Sequence, residues 1–216
     1  MAEISYRLTE IFNAIPTCEV FADIGCDHGY ITQKMLQTGK CKKAIFSDIS
    51  AKCLQKASEL LKDYVEKNLA KGVVSNGFEK IEFCTCALIA GMGGEEIIEV
   101  LKKAKSLPYS LVLQPMKNCE KVRKTLIELG YKILKDYTFN EGKRFYDLIF
   151  CEKGEDSLTQ EEIEFGRTNL TEKTLPFVNK IKLKINQYKK VIAEEKITNE
   201  TKEKMLLEIE RLEKYV

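Results

Sequence analysis

The chain has 216 residues, 44% hydrophobic content and a formal net charge of +2, which suits one α/β core with an appendage and argues against a disordered polyelectrolyte. No apolar run approaches the roughly 20 residues of a membrane span, and the start Met1-Ala-Glu-Ile-Ser-Tyr-Arg7 has no signal-peptide pattern, so a cytoplasmic protein is expected. Eight cysteines without a C-x-x-C pair and one histidine leave a metal site short of ligands. Reduced thiols acting as small buried hydrophobes are expected instead.

The first elements in chain order are a helix over 5–15 and a buried strand over 20–24 that runs into a glycine-bearing turn and a helix over 28–38. Asp23, Gly25 and Gly29 form D-x-G-x-x-x-G, in which glycine lets the backbone approach a ligand and the helix start offers N–H groups. A strand over 43–49 carries Asp48 near its end, where a carboxylate can accept both hydroxyls of a ribose, with Ile49 beside it. The dinucleotide pattern G-x-G-x-x-G is not met, because Asp27 stands where the second glycine would admit a pyrophosphate. A carboxylate there repels phosphate. The loop therefore suits a phosphate-free nucleoside cofactor, of which S-adenosylmethionine with its cationic sulfonium is the obvious member.

Further along, a helix over 51–68 and a strand over 72–75 lead to Asn76-Gly77, and a strand over 85–90 ends in Ala90-Gly-Met-Gly-Gly94 before a helix over 94–105. Glycine at this sheet edge would let a flat base lie against backbone, and free N–H groups of Gly93 and Gly94 could bind an atom of it. A strand over 110–114 closes with Gln114-Pro115 and precedes a helix over 119–129. Strands over 132–139 and 144–152 follow without a helix between them, joined through Asn140-Glu-Gly142 as a hairpin. Such a terminal hairpin, with the seventh strand antiparallel, is typical of class I methyltransferases and not of dehydrogenases.

After residue 153 the pattern is helical only. Thr159 to Glu162 reads as a capping box with Leu158 and Ile163 as a staple, and Pro176 opens a fresh helix. Val178, Ile181, Ile185, Tyr188 and Ile192 face Met205, Ile209, Leu212 and Val216 as the seam of an antiparallel, coiled-coil-like hairpin. The chain thus divides into 1–153 and 154–216. Lys180, Lys182, Lys184, Lys189 and Lys190 lie in a stretch without any acid, and with the clusters Lys117–Lys124 and Lys40–Lys43 they suggest a polyanionic substrate.

Arg7-Leu8, Ala22-Asp-Ile-Gly-Cys-Asp-His-Gly-Tyr30, Ser47-Asp48, Ser75-Asn-Gly-Phe78, Ile89-Ala-Gly-Met-Gly-Gly94, Leu113-Gln-Pro115 and Glu141-Gly-Lys-Arg-Phe-Tyr146 together resemble the bacterial tRNA (adenine-N1)-methyltransferases that act on the adenosine at tRNA position 22. The resemblance covers nearly the whole chain. It implies a seven-stranded Rossmann-like class I fold, S-adenosylmethionine as cofactor, tRNA as partner and no metal; a monomer is expected. It places Asp23, Gly25, Gly29, Asp48, Ile49, Asn76, Gly77, Ala90, Gly91 and Met92 at the cofactor, and Arg7, His28, Gly93, Gly94, Gln114, Lys143, Tyr146, Lys180, Lys184 and Lys190 at the substrate. Asp27, Asp23 and Tyr30 are the catalytic candidates, the acids for charge developing on the base and the ring for stacking on it.

Two positions depart from the family. Asn76 replaces an aspartate that would accept from the adenine amine, and an asparagine oxygen can still accept, at some loss of affinity. Gly29 stands where alanine is common, a change expected to matter little. Two other readings remain open from sequence: a non-catalytic RNA-binding relative, and a nicotinamide oxidoreductase.

Overall fold

The computed structural model describes residues 4–194 and 197–216. Seven strands, β1 (Cys18–Ile24), β2 (Cys41–Asp48), β3 (Ala70–Val74), β4 (Cys86–Met92), β5 (Ser110–Pro115), β6 (Tyr131–Glu141) and β7 (Arg144–Lys153), form one sheet in the order β3-β2-β1-β4-β5-β7-β6. The first five pair in parallel; β7 inserts between β5 and β6 and is antiparallel to both. Glu141 pairs with Arg144, so the hairpin closes through Gly142-Lys143, with Gly142 at φ +58°. This is the class I topology that the terminal hairpin implies.

Side-chain alternation sorts the two faces. Phe21, Cys86, Leu88 and Val112 point to one side, where α1 (Tyr6–Ala14) and α2 (Tyr30–Gln37) cover them with Ile11, Phe12, Ile31 and Met35. Ala22, Ile24, Ala87, Ile89, Leu111 and Leu113 point to the other, against Ile97 and Leu101 of α5 (Gly94–Lys103) and Val122 and Leu126 of α6 (Cys119–Glu128). The helix expected over 51–68 is two, α3 (Ala51–Leu60) and α4 (Lys62–Glu66), because the backbone at buried Leu61 (φ −99°, ψ 10°) leaves helical geometry. Likewise α2 starts at Tyr30 and not at 28, since Asp27 (φ +48°) and Gly29 (φ +75°) are left-handed.

Among the described residues four helices follow: α7 (Gln160–Phe165), α8 (Arg167–Glu172), α9 (Leu175–Ala193) and α10 (Asn199–Glu213). The Thr159/Glu162 capping box is formed, and Pro176 sits in the first turn of α9. Leu158 packs onto the sheet core. The apolar seam differs at its edges from the spacing: Phe177 and Tyr215 join it with Phe165, whereas Val216 is exposed.

A buried polar network fastens these helices to the sheet. Arg123 (1% exposed) donates from Nε to Asp136 Oδ2 at 2.9 Å and from Nη1 to the carbonyls of Ile163 and Glu164. The other Asp136 oxygen accepts from Thr168 N–H at 3.0 Å. Asn169 bridges to Thr138, and Thr138 donates to Asp147, which is paired with Lys180. At Gly166 (φ +89°) a Cβ would stand 2.7 Å from Asp136 and 2.9 Å from Arg123, so only glycine admits the ion pair there.

Candidate active site

The carboxyl ends of β1, β2, β3 and β4 open onto a cavity of about 750 Å³. Its floor is the turn after β1, anchored by Gly25 and Cys26 N–H bonds to the Ser47 carbonyl at 2.8 and 2.9 Å. Gly25 is at φ +75° and faces the Met92 side chain so closely that a Cβ there would collide with it. Asp23, 5% exposed, accepts from Thr32 Oγ1 at 2.8 Å, and burial, despite the bonds from Thr32, pushes its carboxyl up to about 6. Asp48 takes Ser50 N–H at 2.8 Å and Asp27 N–H at 3.3 Å, so one carboxylate joins both loops.

At the mouth, His28 Nδ1 bonds Asp27 Oδ2 at 2.7 Å, and the His28 ring stacks on Tyr30 at 5.6 Å and 3°. Tyr30 is 37% exposed, so it is no core residue. The opposite wall is the end of β4: Ala90, Gly91 at φ +79° and Met92, with a register shift where the chain bulges. Beyond β3, Ser75 Oγ bonds the Gly77 carbonyl and Lys80 N–H, which fixes the loop carrying Asn76 and Gly77.

Thus Arg7, Asp23, Gly25, Asp27, His28, Tyr30, Asp48, Ile49, Asn76, Gly77, Ala90, Gly91 and Met92 meet in one cavity. Other expected site residues do not. Gly29 turns toward α3, where a Cβ would stand 3.1 Å from Ala57 and 3.2 Å from Leu61, so alanine there is not a minor change. Gly93 and Gly94 offer no free N–H groups: Glu96 Oε2 accepts the first at 2.6 Å and the Lys117 carbonyl the second at 3.0 Å. Gln114 is fully buried, its amide held between Arg7 and the Pro115 carbonyl. Tyr146 is buried beneath the Arg7 guanidinium, 5.2 Å from its ring, and Lys143 is exposed at the hairpin tip.

The lysine face of α9 is also not bare. Lys180 pairs with Asp147, Lys184 with Glu208 at 3.2 Å and Glu164 at 3.9 Å, and Lys189 with Glu213 at 3.1 Å. Only Lys182 and Lys190 of that stretch are exposed without a carboxylate partner among the described residues. The acids come from β7, α7 and α10, which an acid-free run of sequence does not reveal.

Sequence reasoning missed Ser5 and Leu8, and a whole face of α5: Glu96, Glu99, Val100 and Lys103 line the cavity at helical spacing. Val100 stands behind Gly77, where a Cβ would meet its Cγ1 at 2.8 Å. Glu79 Oε1 accepts from Asn76 Nδ2 at 3.4 Å, which directs the Asn76 oxygen away from the carboxylate. Two carboxylates, at Asp23 and Asp48, and no lysine or arginine on the first loop suit a cationic, phosphate-free nucleoside. Among the described residues, no group of three or more His, Cys, Asp or Glu is placed to hold a metal ion.

Residues 4–149 match a family described as a methyltransferase domain. A Mycoplasma pneumoniae protein, provisionally named a tRNA methyltransferase, is 30% identical over 166 residues, 73% of this chain and 76% of that one. The Bacillus subtilis tRNA (adenine(22)-N(1))-methyltransferase is 28% identical over 162 residues, 71% and 66% of the two chains. Among solved structures, M. capricolum TrmK in complex with S-adenosyl-homocysteine superposes with a TM-score of 0.86 at 25% identity, over 98% of this chain and 97% of that one. With two thirds of its length matched to that domain, from the N-terminal helix to the seventh strand, the chain belongs to the methyltransferase family.

Proposed function

We propose that the protein transfers a methyl group from S-adenosylmethionine to N1 of adenosine 22 in tRNA. The observation that carries the reading is the joining of Asp23, Asp48, Asn76 and Gly91 in one cavity at the carboxyl edge of a class I sheet, alongside the named activity of the Bacillus relative. The cofactor supplies an electrophilic methyl on a sulfonium. Asp48 accepts the ribose hydroxyls, Asn76 Oδ1 the adenine amine against Ile49 and Val100, and Asp23 the amino-acid ammonium.

N1 of adenine has a lone pair, so the protein needs no base to create the nucleophile. What it must supply is placement, and near-attack geometry contributes on the order of 7–11 kcal/mol. Tyr30, stacked on His28, offers a ring for the extruded base. Asp27 at the mouth stabilises positive charge developing on that base, with His28 as its hydrogen-bond partner. Methyl incorporation into tRNA transcripts carrying adenosine or guanosine at position 22 tests the assignment. Incorporation into the adenosine transcript alone is expected; equal incorporation into both defeats it.

Asp23 makes cofactor binding pH-dependent. Its carboxyl is raised to about 6 in the free protein, and a bound ammonium favours the carboxylate, so binding releases a proton below that pH. Affinity should therefore rise with pH up to about 6 and level off above it, by at most roughly tenfold per unit. Calorimetry across that range measures the slope; a flat profile removes Asp23 from the ammonium.

Asn76→Asp, which restores the family residue, should tighten cofactor binding, because a carboxylate is the stronger acceptor for the adenine amine and the contact given up is an exposed 3.4 Å bond to Glu79. Looser binding would show that Asn76 faces a different group.

Residues 154–216 serve as a tRNA-binding unit in this reading, with Lys182 and Lys190 as the open cations of α9. Changing both to Ala should lower the log–log salt slope of tRNA binding by up to about 0.7–0.9 for each phosphate that these lysines neutralise. Lys180→Ala should instead cost stability, since it strips Asp147, whose side chain is only 14% exposed, of its cation. Thermal melts and salt titrations of both variants separate the two effects.

A further inference from the structure

The turn after β4 has its hydrogen-bond donors already taken. Gly93 N–H, the first amide beyond the strand, donates to Glu96 Oε2 at 2.6 Å, and Gly94 N–H donates to the Lys117 carbonyl at 3.0 Å. Glu96 belongs to the first turn of α5 and lines the cavity. A Cβ placed on Gly93 would stand 3.2 Å from the same Oε2, so the carboxylate lies against that glycine. Where a bare turn would offer a donor, this one offers an acceptor.

Glu96 also keeps its charge in force. Of the three acids of α5, Glu95 pairs with Lys121 and Glu99 with Lys103, whereas no lysine or arginine among the described residues lies within ion-pair distance of Glu96. Lys117 passes the same glycine, its Cε 3.0 Å from that Cβ position, without pairing with the carboxylate. The capping bond uses Oε2 alone, and no donor among the described residues reaches Oε1. Position along the helix then narrows what that oxygen can serve. Val100, one turn further, stands behind Gly77 at the end given to the cofactor's adenine, while Glu96 stands at the end of β4. The amine, ribose and ammonium of the cofactor have Asn76, Asp48 and Asp23 in the proposed function, which leaves Oε1 to the methyl acceptor.

We infer that Glu96 reads the exocyclic amine of the target adenine, accepting N6–H through Oε1 while the neighbouring N1 faces the methyl group. The inference rests on the proposed function for the identity of the base. Adenine presents a donor amine beside the lone pair of N1, whereas guanine presents a carbonyl oxygen beside an N–H. Guanine would therefore set two acceptors against each other at Oε1. As the N1–C bond forms and the C–S bond breaks, positive charge passes from sulfur to the purine and is shared with the amine; no proton has to leave. The bond to a carboxylate strengthens along that path, so its loss should lower kcat more than it raises KM.

The test uses Glu96→Gln, which keeps an oxygen for Gly93 N–H but removes the charge and turns an amide NH2 toward the base. Its melting temperature and its affinity for S-adenosylhomocysteine should match those of the unmodified protein; a weaker cofactor complex would assign the carboxylate to the cofactor and overturn the inference. Transcripts of tRNA would carry adenosine or purine riboside at position 22, the second keeping N1 and lacking the amine. On adenosine the variant should lose roughly ten- to hundredfold in kcat with KM little changed, and on purine riboside the two proteins should differ little. The differing basicity of N1 in the two bases affects both proteins alike and drops out of the comparison. An equal loss on both transcripts, or no loss on adenosine, overturns the inference. Binding gives a readout without turnover: with S-adenosylhomocysteine present, the unmodified protein should prefer a transcript bearing cationic 1-methyladenosine at position 22 to the adenosine transcript, and Glu96→Gln should not. The same preference in both proteins overturns it as well. Failure of the unmodified protein on the adenosine transcript would instead defeat the proposed function, which keeps the two results apart.

Discussion

Arg123→Leu should destabilise the protein by about 3–5 kcal/mol, because it leaves Asp136, fully buried, with its charge unpaired. For a chain of this size that corresponds to a melting temperature lower by on the order of 10 °C. The two carbonyls that Arg123 Nη1 serves, at Ile163 and Glu164, lose their donor as well, so α7 and the helices after it should loosen from the sheet. Replacing both charges, as Arg123→Leu with Asp136→Leu, should recover much of the loss, since a matched apolar pair leaves no buried ion. Thermal unfolding of the three variants decides it. A double variant as unstable as the single one would mean that the pair is not the fastening.

Asp48→Ala should weaken S-adenosylmethionine binding by about 1.5–3 kcal/mol for each ribose hydroxyl deprived of its charged acceptor. The effect has a second origin in the loops, because the same carboxylate takes the N–H groups of Ser50 and Asp27. Asp48→Asn keeps the shape and one acceptor oxygen, and should fall between the two. Binding of tRNA should be nearly unaltered in both. Unchanged cofactor affinity in calorimetry would take Asp48 out of the site.

How far the sequence foretold this site depends on the range of each interaction. The pair Asp23 and Asp48 was legible because strand-turn-helix units put acids at strand ends by local pattern alone, and the parallel register of β1 with β2 brings them together. The hairpin of β6 and β7 was equally local. Gly93 and Gly94 misled, because the groups that occupy their N–H donors are Glu96, within the same helix start, and Lys117, which reaches them only through the fold. Lys180 and Lys184 misled for a related reason: their acids lie 33 and 24 residues away. The α5 face of Glu96, Glu99, Val100 and Lys103 was within reach of helical spacing, had the glycine run been read as the start of a cavity wall. Gly29 shows the limit of reasoning from residue size, since the left-handed turn and the nearness of Ala57 appear only in three dimensions.

Methyl transfer to a single ring nitrogen can be read by nucleoside mass spectrometry. Unmodified tRNA would be incubated with the protein and S-adenosylmethionine bearing a deuterated methyl group, digested, and its nucleosides separated by chromatography. Deuterated 1-methyladenosine is expected, and is absent when Asp48→Ala replaces the protein at limiting cofactor. Label in N6-methyladenosine or in another base, or no label in any nucleoside while the protein binds the cofactor, would contradict it.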